Sequence, residues 1–260
     1  MRPNALRQLW KERTIVNGWI SSPSAFVAEV MAHADFDSLT IDMQHGLADY
    51  SAMLAIIQAI NTTDVTPLVR VPWNEPGIIM RSLDAGSYGI ICPMVNTRRD
   101  AEAFVGACRY APQGYRSYGP TRVSLFAGND YGSHANTEIL TLAMIETAEA
   151  LRNLDDILSV PGLDGIYIGP ADLSISLAAP ANVDPTEPKV IEAIASILAA
   201  AKTHGLFAGI HTGGAESARA RAEQGFNFVT IASDARLLAV ASAQAVAHVK
   251  GKADARGVAY

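Results

Sequence analysis

Thr141-Leu-Ala-Met-Ile-Glu-Thr147 and Gly165-Ile-Tyr-Ile-Gly-Pro-Ala-Asp-Leu173 are apolar runs of strand length, the first closing on Glu146 and the second carrying Asp172 in the turn behind it. Between them, residues 148–160 are apolar at Ala150, Leu151, Leu154, Ile157 and Leu158, the spacing of a helix with one apolar face. A right-handed crossover makes the two strands parallel neighbours about 4.8 Å apart, and both carboxylates then reach one sheet edge. There they can share a divalent cation of the magnesium or manganese type. Taken singly, either acid is also at home capping the helix that follows it.

The elements that position this pair repeat along the chain. Strands are expected at 17–21, 36–42, 66–71, 87–94, 141–147, 165–169, 206–211 and 226–232, each followed by a helical pattern, the last running from Ser233 to Val249. Such alternation over about 250 residues predicts a single closed (β/α)8 barrel, an α/β fold, spanning residues 1–260 with 234–260 as C-terminal helix and tail. An open doubly wound sheet is the alternative. It is disfavoured because no strand leads into a GxGxxG turn and polar residues end nearly every strand. In the barrel Asp42, His45, Arg70, Glu146, Asp172 and His211 converge on one mouth, although they are scattered in sequence. Ala111 to Asn136, rich in Gly, Tyr, Arg and Pro, is expected to be a long irregular loop with a task of its own.

Composition narrows the chemistry. The chain has 260 residues, 49% hydrophobic and 18% charged, with a formal net charge of -6, so no basic stripe is available to follow nucleic acid. The first ten residues lack the apolar core of a signal peptide and no window spans a bilayer, which predicts a cytoplasmic protein with no membrane partner. Cys92 and Cys108 both sit in apolar patterns, as reduced packed thiols do. The five lysines, Lys11, Lys189, Lys202, Lys250 and Lys252, all lie away from strand ends, so Schiff-base chemistry has no nucleophile.

Metal-assisted enolisation survives that elimination. A small 2-oxo acid can chelate a cation held by Glu146 and Asp172, and Arg70 adds permanent positive charge at the developing enolate oxygen. His45 follows the strand that ends on Asp42 and, with Asp42 beside it as a further candidate catalytic residue, suits proton transfer near neutral pH; it is equally a turn residue with a satisfied hydrogen bond. His211 is either a catalytic group or the residue before a Gly-Gly anion contact. Gly169-Pro170-Ala171 starts a helix whose Ala171 amide can bind a carboxylate, or is simply a good turn.

Phe36-Asp-Ser-Leu-Thr-Ile-Asp-Met-Gln-His45, Pro67-Leu-Val-Arg-Val-Pro-Trp-Asn74, Leu83-Asp-Ala-Gly86, Ile91-Cys-Pro-Met-Val95, Ile145-Glu-Thr147 and Ile168-Gly-Pro-Ala-Asp-Leu173 stand in one order over residues 17–238. The chain thereby resembles the HpcH/HpaI aldolases, the metal-dependent class II pyruvate aldolases. The resemblance implies a lyase that cleaves a 4-hydroxy-2-oxo acid into pyruvate or hydroxypyruvate and an aldehyde, with a divalent metal (Mg, Mn or Co) and no organic cofactor. It also implies a homo-hexamer, a trimer of dimers that exchange their last helix. By resemblance His45 is the proton acceptor, Asp84 the carboxylate that raises its basicity, Arg70 the enolate clamp, and Glu146 and Asp172 the metal ligands. Substrate contacts fall to Gly169, Pro170 and the Ala171 amide. Met144 departs from the Gln that relatives acting on long acidic aldols carry two residues before the metal glutamate. Asp84 ends a helix, on the barrel face opposite the mouth, so it is expected to serve a neighbour's site, with Arg116 and Arg122 of the long loop helping to cover that site. Rival readings are a malyl- or citramalyl-thioester lyase, for which no basic coenzyme A pocket is evident, and a silent barrel that binds 2-oxo acids.

Overall fold

A computed structural model describes residues 1–251; the tail expected at 252–260 lies outside the described residues. Eight parallel strands close in sequence order into a barrel: β1 (Ile15–Ile20), β2 (Ser38–Asp42), β3 (Thr66–Arg70), β4 (Gly89–Cys92), β5 (Leu140–Ile145), β6 (Gly165–Ile168), β7 (Phe207–His211) and β8 (Phe228–Ser233). The open-sheet alternative is thereby excluded. Among the described residues thirteen helices surround them: α1 (Leu6–Glu12), α2 (Ala25–Ala32), α3 (Tyr50–Ile60), α4 (Pro76–Ala85), α5 (Arg98–Cys108), α6 (Val123–Ala127), α7 (Tyr131–Glu138), α8 (Ala148–Arg152), α9 (Leu154–Leu158), α10 (Pro170–Ser176), α11 (Pro188–Thr203), α12 (Ala215–Gln224) and α13 (Asp234–Val249).

Two hydrophobic layers result from strand alternation. The larger lies between strands and helices, through residues such as Ile41, Val69, Ile90, Ile145, Ile168 and Ile210. The smaller fills the barrel with Ile15, Trp19, Leu68, Ile91, Leu142, Met144, Tyr167, Phe207 and Phe228. Helix α1 closes the barrel floor: Leu6 is fully buried in that inner cluster, Leu9 and Trp10 pack against it, and the Trp10 ring lies 4.5 Å from Phe207.

The helices start where local chemistry says they should. Glu75 caps α4 ahead of Pro76, and Gly86, at φ 114°, ends it in the left-handed region that glycine adopts without a Cβ penalty. Thr97 and Asp100 form a reciprocal capping box on α5. Two expectations are corrected. The segment 148–160 is two short helices broken at Asn153, whose side-chain amide donates to the Asn96 carbonyl. The loop 111–136 holds α6 and the start of α7 rather than being irregular throughout.

Candidate active site

The floor being filled, the polar inward positions near the strand C-termini line a cavity of about 160 Å³ at the opposite end. Its walls include Trp19, His45, Arg70, Met144, Tyr167, the turn from Gly169 to Asp172, and His211. Asp42 and Arg70 are register partners on β2 and β3, and the guanidinium donates to both carboxylate oxygens, from Nε to Oδ1 at 2.9 Å and from Nη2 to Oδ2 at 2.6 Å. Trp19 Nε1 donates to Asp42 Oδ2, and the amides of Gln44 and His45 donate to Oδ1. Burial works to raise the Asp42 carboxyl, but the hydrogen bond and charge of Arg70 outweigh it and hold it below its ordinary value. With both oxygens engaged and the residue enclosed, Asp42 holds Arg70 and the His45 turn in place. Arg70 also lies 4.8 Å over the Trp19 ring, which leaves it one fixed orientation.

On the other side, Ile145 and Ile168 are partners on β5 and β6, so Glu146 and Gly169 follow side by side. The capping role open to Glu146 is filled by Thr147, whose hydroxyl accepts from the Ala150 amide at the start of α8. Glu146 itself accepts from the Met94 amide at 2.8 Å, an amide aimed by a left-handed Met94 backbone, φ 55°, a conformation few non-glycine residues hold without cause. A Cβ on Gly169 would collide with Glu146 Oε2, so glycine there makes room for the carboxylate. Burial raises the Glu146 carboxyl to about 7, with Asp172 adding to the rise and the Met94 amide and Arg70 opposing it. Two oxygen-donor acids, Glu146 buried and within reach of the charge of Asp172, are a donor set that suits a hard divalent ion. Among the described residues no group of three or more His, Cys, Asp or Glu gathers, so such an ion keeps most positions for water and substrate. Asp172 stands in the first turn of α10, whose first position is Pro170.

His45 lines the cavity, and among the described residues its imidazole has no hydrogen-bond partner, unlike a satisfied turn histidine. His211 does have one: its Nδ1 lies 3.1 Å from the Tyr167 hydroxyl, and its ring meets Trp19 edge-on at 4.9 Å. The anion contact considered for the following glycines is not formed as imagined, because the Gly213 amide is spent on the Asp184 carboxylate. Asp84 is not brought to His45 within the chain. It sits at the end of α4 and accepts from Arg116 Nη2 at 2.7 Å, while burial works to raise its carboxyl and Arg116 to lower it, with a net rise. Arg116 is itself enclosed, stacked on Tyr110 and bonded to the Tyr131 hydroxyl, and Arg122 donates to the Ala85 carbonyl. Both loop arginines thus contact the α4 terminus of their own chain, and Arg116 is buried there. Residues that sequence reasoning missed are Trp19, Tyr167 and the Met94 amide. Alternation along β1 and β6 marks the first two as inward; nothing in the sequence marks the third.

The family profile described as HpcH/HpaI aldolase/citrate lyase matches residues 16–241. A protein named hydroxypyruvate/pyruvate aldolase from Rhizorhabdus wittichii is 43% identical over 248 residues, covering 95% of this chain and 99% of that one. A 4-hydroxy-2-oxo-heptane-1,7-dioate aldolase from Escherichia coli (strain ATCC 8739) is 36% identical over 240 residues, 91% of each chain. The crystal structure of an HpcH/HpaI aldolase/citrate lyase family protein from Burkholderia cenocepacia J2315 superposes with a TM-score of 0.89 at 32% identity, over 95% of this chain and 99% of that one. With the barrel, the ordered motifs and these likenesses in agreement, the chain belongs to the HpcH/HpaI aldolase/citrate lyase family.

Proposed function

We propose that the chain is a divalent-metal-dependent aldolase that reversibly cleaves a 4-hydroxy-2-oxo acid into pyruvate or hydroxypyruvate and an aldehyde. The observation that carries this reading is the arrangement of Glu146 and Asp172 at the ends of adjacent strands with Arg70 lining the same cavity. The names of the relatives at 43% and 36% identity support the substrate class. Glu146 and Asp172 would hold the ion, which when bound supplies Lewis acidity toward the carboxylate and keto oxygens of the 2-oxo acid. The Ala171 amide, at the N-terminus of α10, receives the substrate carboxylate, with Gly169 and Pro170 shaping the turn. His45 takes the proton from the C4 hydroxyl, directly or through water. As the C3–C4 bond breaks and the aldehyde forms, Arg70 stabilises the negative charge gathering on the enolate oxygen, and reprotonation at C3 gives the 2-oxo acid. Met144, a thioether in the cavity wall, leaves a long acidic aldehyde without a side-chain donor there.

The assembly we propose is a homo-hexamer, a trimer of dimers that exchange α13. Of the sixteen residues of α13 only Asp234 is buried, and Leu238 and Val249 face outward, as does Phe26 of α2 at 71% exposure. In that assembly Asp84 serves the His45 of an adjoining protomer. A cytoplasmic setting agrees with Cys92 and Cys108 as free buried thiols, and among the described residues no helix is long and apolar enough to cross a membrane. Incubation with a chelator should abolish cleavage of 4-hydroxy-2-oxo acids and added Mn or Mg should restore it; binding without turnover in metal-replete protein would overturn the assignment in favour of a silent barrel.

A further inference from the structure

The polar groups inside the barrel form a continuous chain that the reaction above leaves unused. Ser38 Oγ and Thr40 Oγ1 both donate to Asn17 Oδ1, at 2.9 and 3.0 Å. Among the described residues neither hydroxyl has another acceptor in reach, so both of their hydrogens require that atom to be the amide oxygen, and Asn17 Nδ2 is then the group that donates to Thr230 Oγ1, at 2.9 Å. Thr230 Oγ1 lies 2.7 Å from the Tyr167 hydroxyl, and that hydroxyl lies 3.1 Å from His211 Nδ1. Asn17, Ser38, Thr40, Thr230 and Tyr167 are all fully buried, so water does not enter the count.

Counting hydrogens then gives the chain a direction. Thr230 accepts from Asn17, and among the described residues its own hydrogen has one acceptor in reach, the Tyr167 oxygen. Tyr167 must then give its hydrogen to His211 Nδ1. In the reverse arrangement Nδ1–H donates to Tyr167 and Tyr167 to Thr230, and the Thr230 hydrogen is left buried with no acceptor, a costly outcome. Nδ1 is therefore the unprotonated nitrogen, and the ring hydrogen sits on Nε2, which among the described residues has no partner. His211 lines the cavity on the β7 and β8 side, beside Thr212, Ser233 and Arg236, whereas Arg70, Met144 and the Gly169–Asp172 turn come from β3, β5 and β6.

We propose that this buried chain is a positioning device that locks His211 as a neutral imidazole presenting Nε2–H to the cavity, where it selects an aldehyde half carrying an oxygen acceptor next to the reacting carbon. The second half of this statement rests on the aldolase reading; the tautomer does not. Burial, reinforced by the charge of Arg70 and opposed by Asp42, pushes His211 down to about 4, which keeps the ring uncharged at neutral pH. A neutral N–H donates to a hydroxyl oxygen without demanding a negative charge, and a substrate lacking that oxygen leaves the N–H unpaired.

Two measurements test it. In ¹⁵N-histidine-labelled protein, with the His211 signals assigned by their loss in His211→Gln, two-bond ¹H–¹⁵N spectra at pH 7 should show a protonated Nε2 and an acceptor-type Nδ1. Tyr167→Phe should release that preference. A protonated Nδ1, or a charged ring, overturns the device. With pyruvate as donor, the ratio of kcat/KM for glycolaldehyde over acetaldehyde should fall about tenfold to a hundredfold in His211→Phe and recover in part in His211→Gln, which keeps an N–H. An unchanged ratio overturns the selecting role. Metal-dependent exchange of pyruvate methyl protons with deuterium in the wild-type protein reports separately on the reaction: were it absent, the aldolase reading would fail while the tautomer spectrum still decided the lock.

Discussion

Gly169 shows how one missing side chain sets a site. Its hydrogen leaves the space that Glu146 Oε2 occupies, so Gly169→Ala must displace the carboxylate or the turn that carries Asp172. We expect this variant to keep its unfolding midpoint while Mn affinity falls about 10- to 100-fold, the usual cost of disturbing a ligand's support; calorimetric titration showing wild-type affinity would refute it. His211 carries a second prediction. Its ordinary value of 6.5 is lowered in the fold to about 4, so as pH falls through that window the unfolded chain takes up the proton first and the folded state loses stability. Urea unfolding at pH 7 and pH 4.5 should show a smaller loss in His211→Phe than in the wild type. At this scale the sequence was legible wherever strand position alone decides placement, as for Arg70, Glu146 and His211. It was silent on Met94, whose contribution is a backbone amide, and on the bonds from Arg70 and Trp19 that engage both oxygens of Asp42.

Elements were read most securely where the period was long and the punctuation strong. All eight strands were anticipated, their observed ends within a few residues of expectation, because each is an apolar run ending in a polar turn. Beside α6 and the start of α7, what escaped was α1. Its seven residues offer only Leu6 as a buried side chain, and its reason for existing is tertiary: it fills the lower barrel beneath Phe207. Leu6→Ala should therefore cost about 2–5 kcal/mol in urea denaturation, out of proportion to such a short exposed-looking helix. A cost near zero would mean the floor is closed without it. The break between α8 and α9 was likewise invisible to periodicity, since Asn153 is polar in either arrangement and its bond to Asn96 comes from a distant loop.

At the level of the whole molecule, Asp84 ends α4 and His45 follows β2, at opposite ends of one barrel, and in the proposed assembly a partner brings them together. Sedimentation should give a mass several times 27.6 kDa. Co-expressed His45→Ala and Asp84→Ala chains, each inactive alone, should regain part of the activity through mixed interfaces; full activity in a monomer would end the shared-site idea. The plug formed by Leu6, Leu9 and Trp10 has a kinetic corollary. A pocket seated on a filled barrel is a cul-de-sac, so the reactant lodged deepest is first in and last out. Cleavage should then discharge the aldehyde ahead of the 2-oxo acid, and product-inhibition patterns ought to follow that fixed order of traffic.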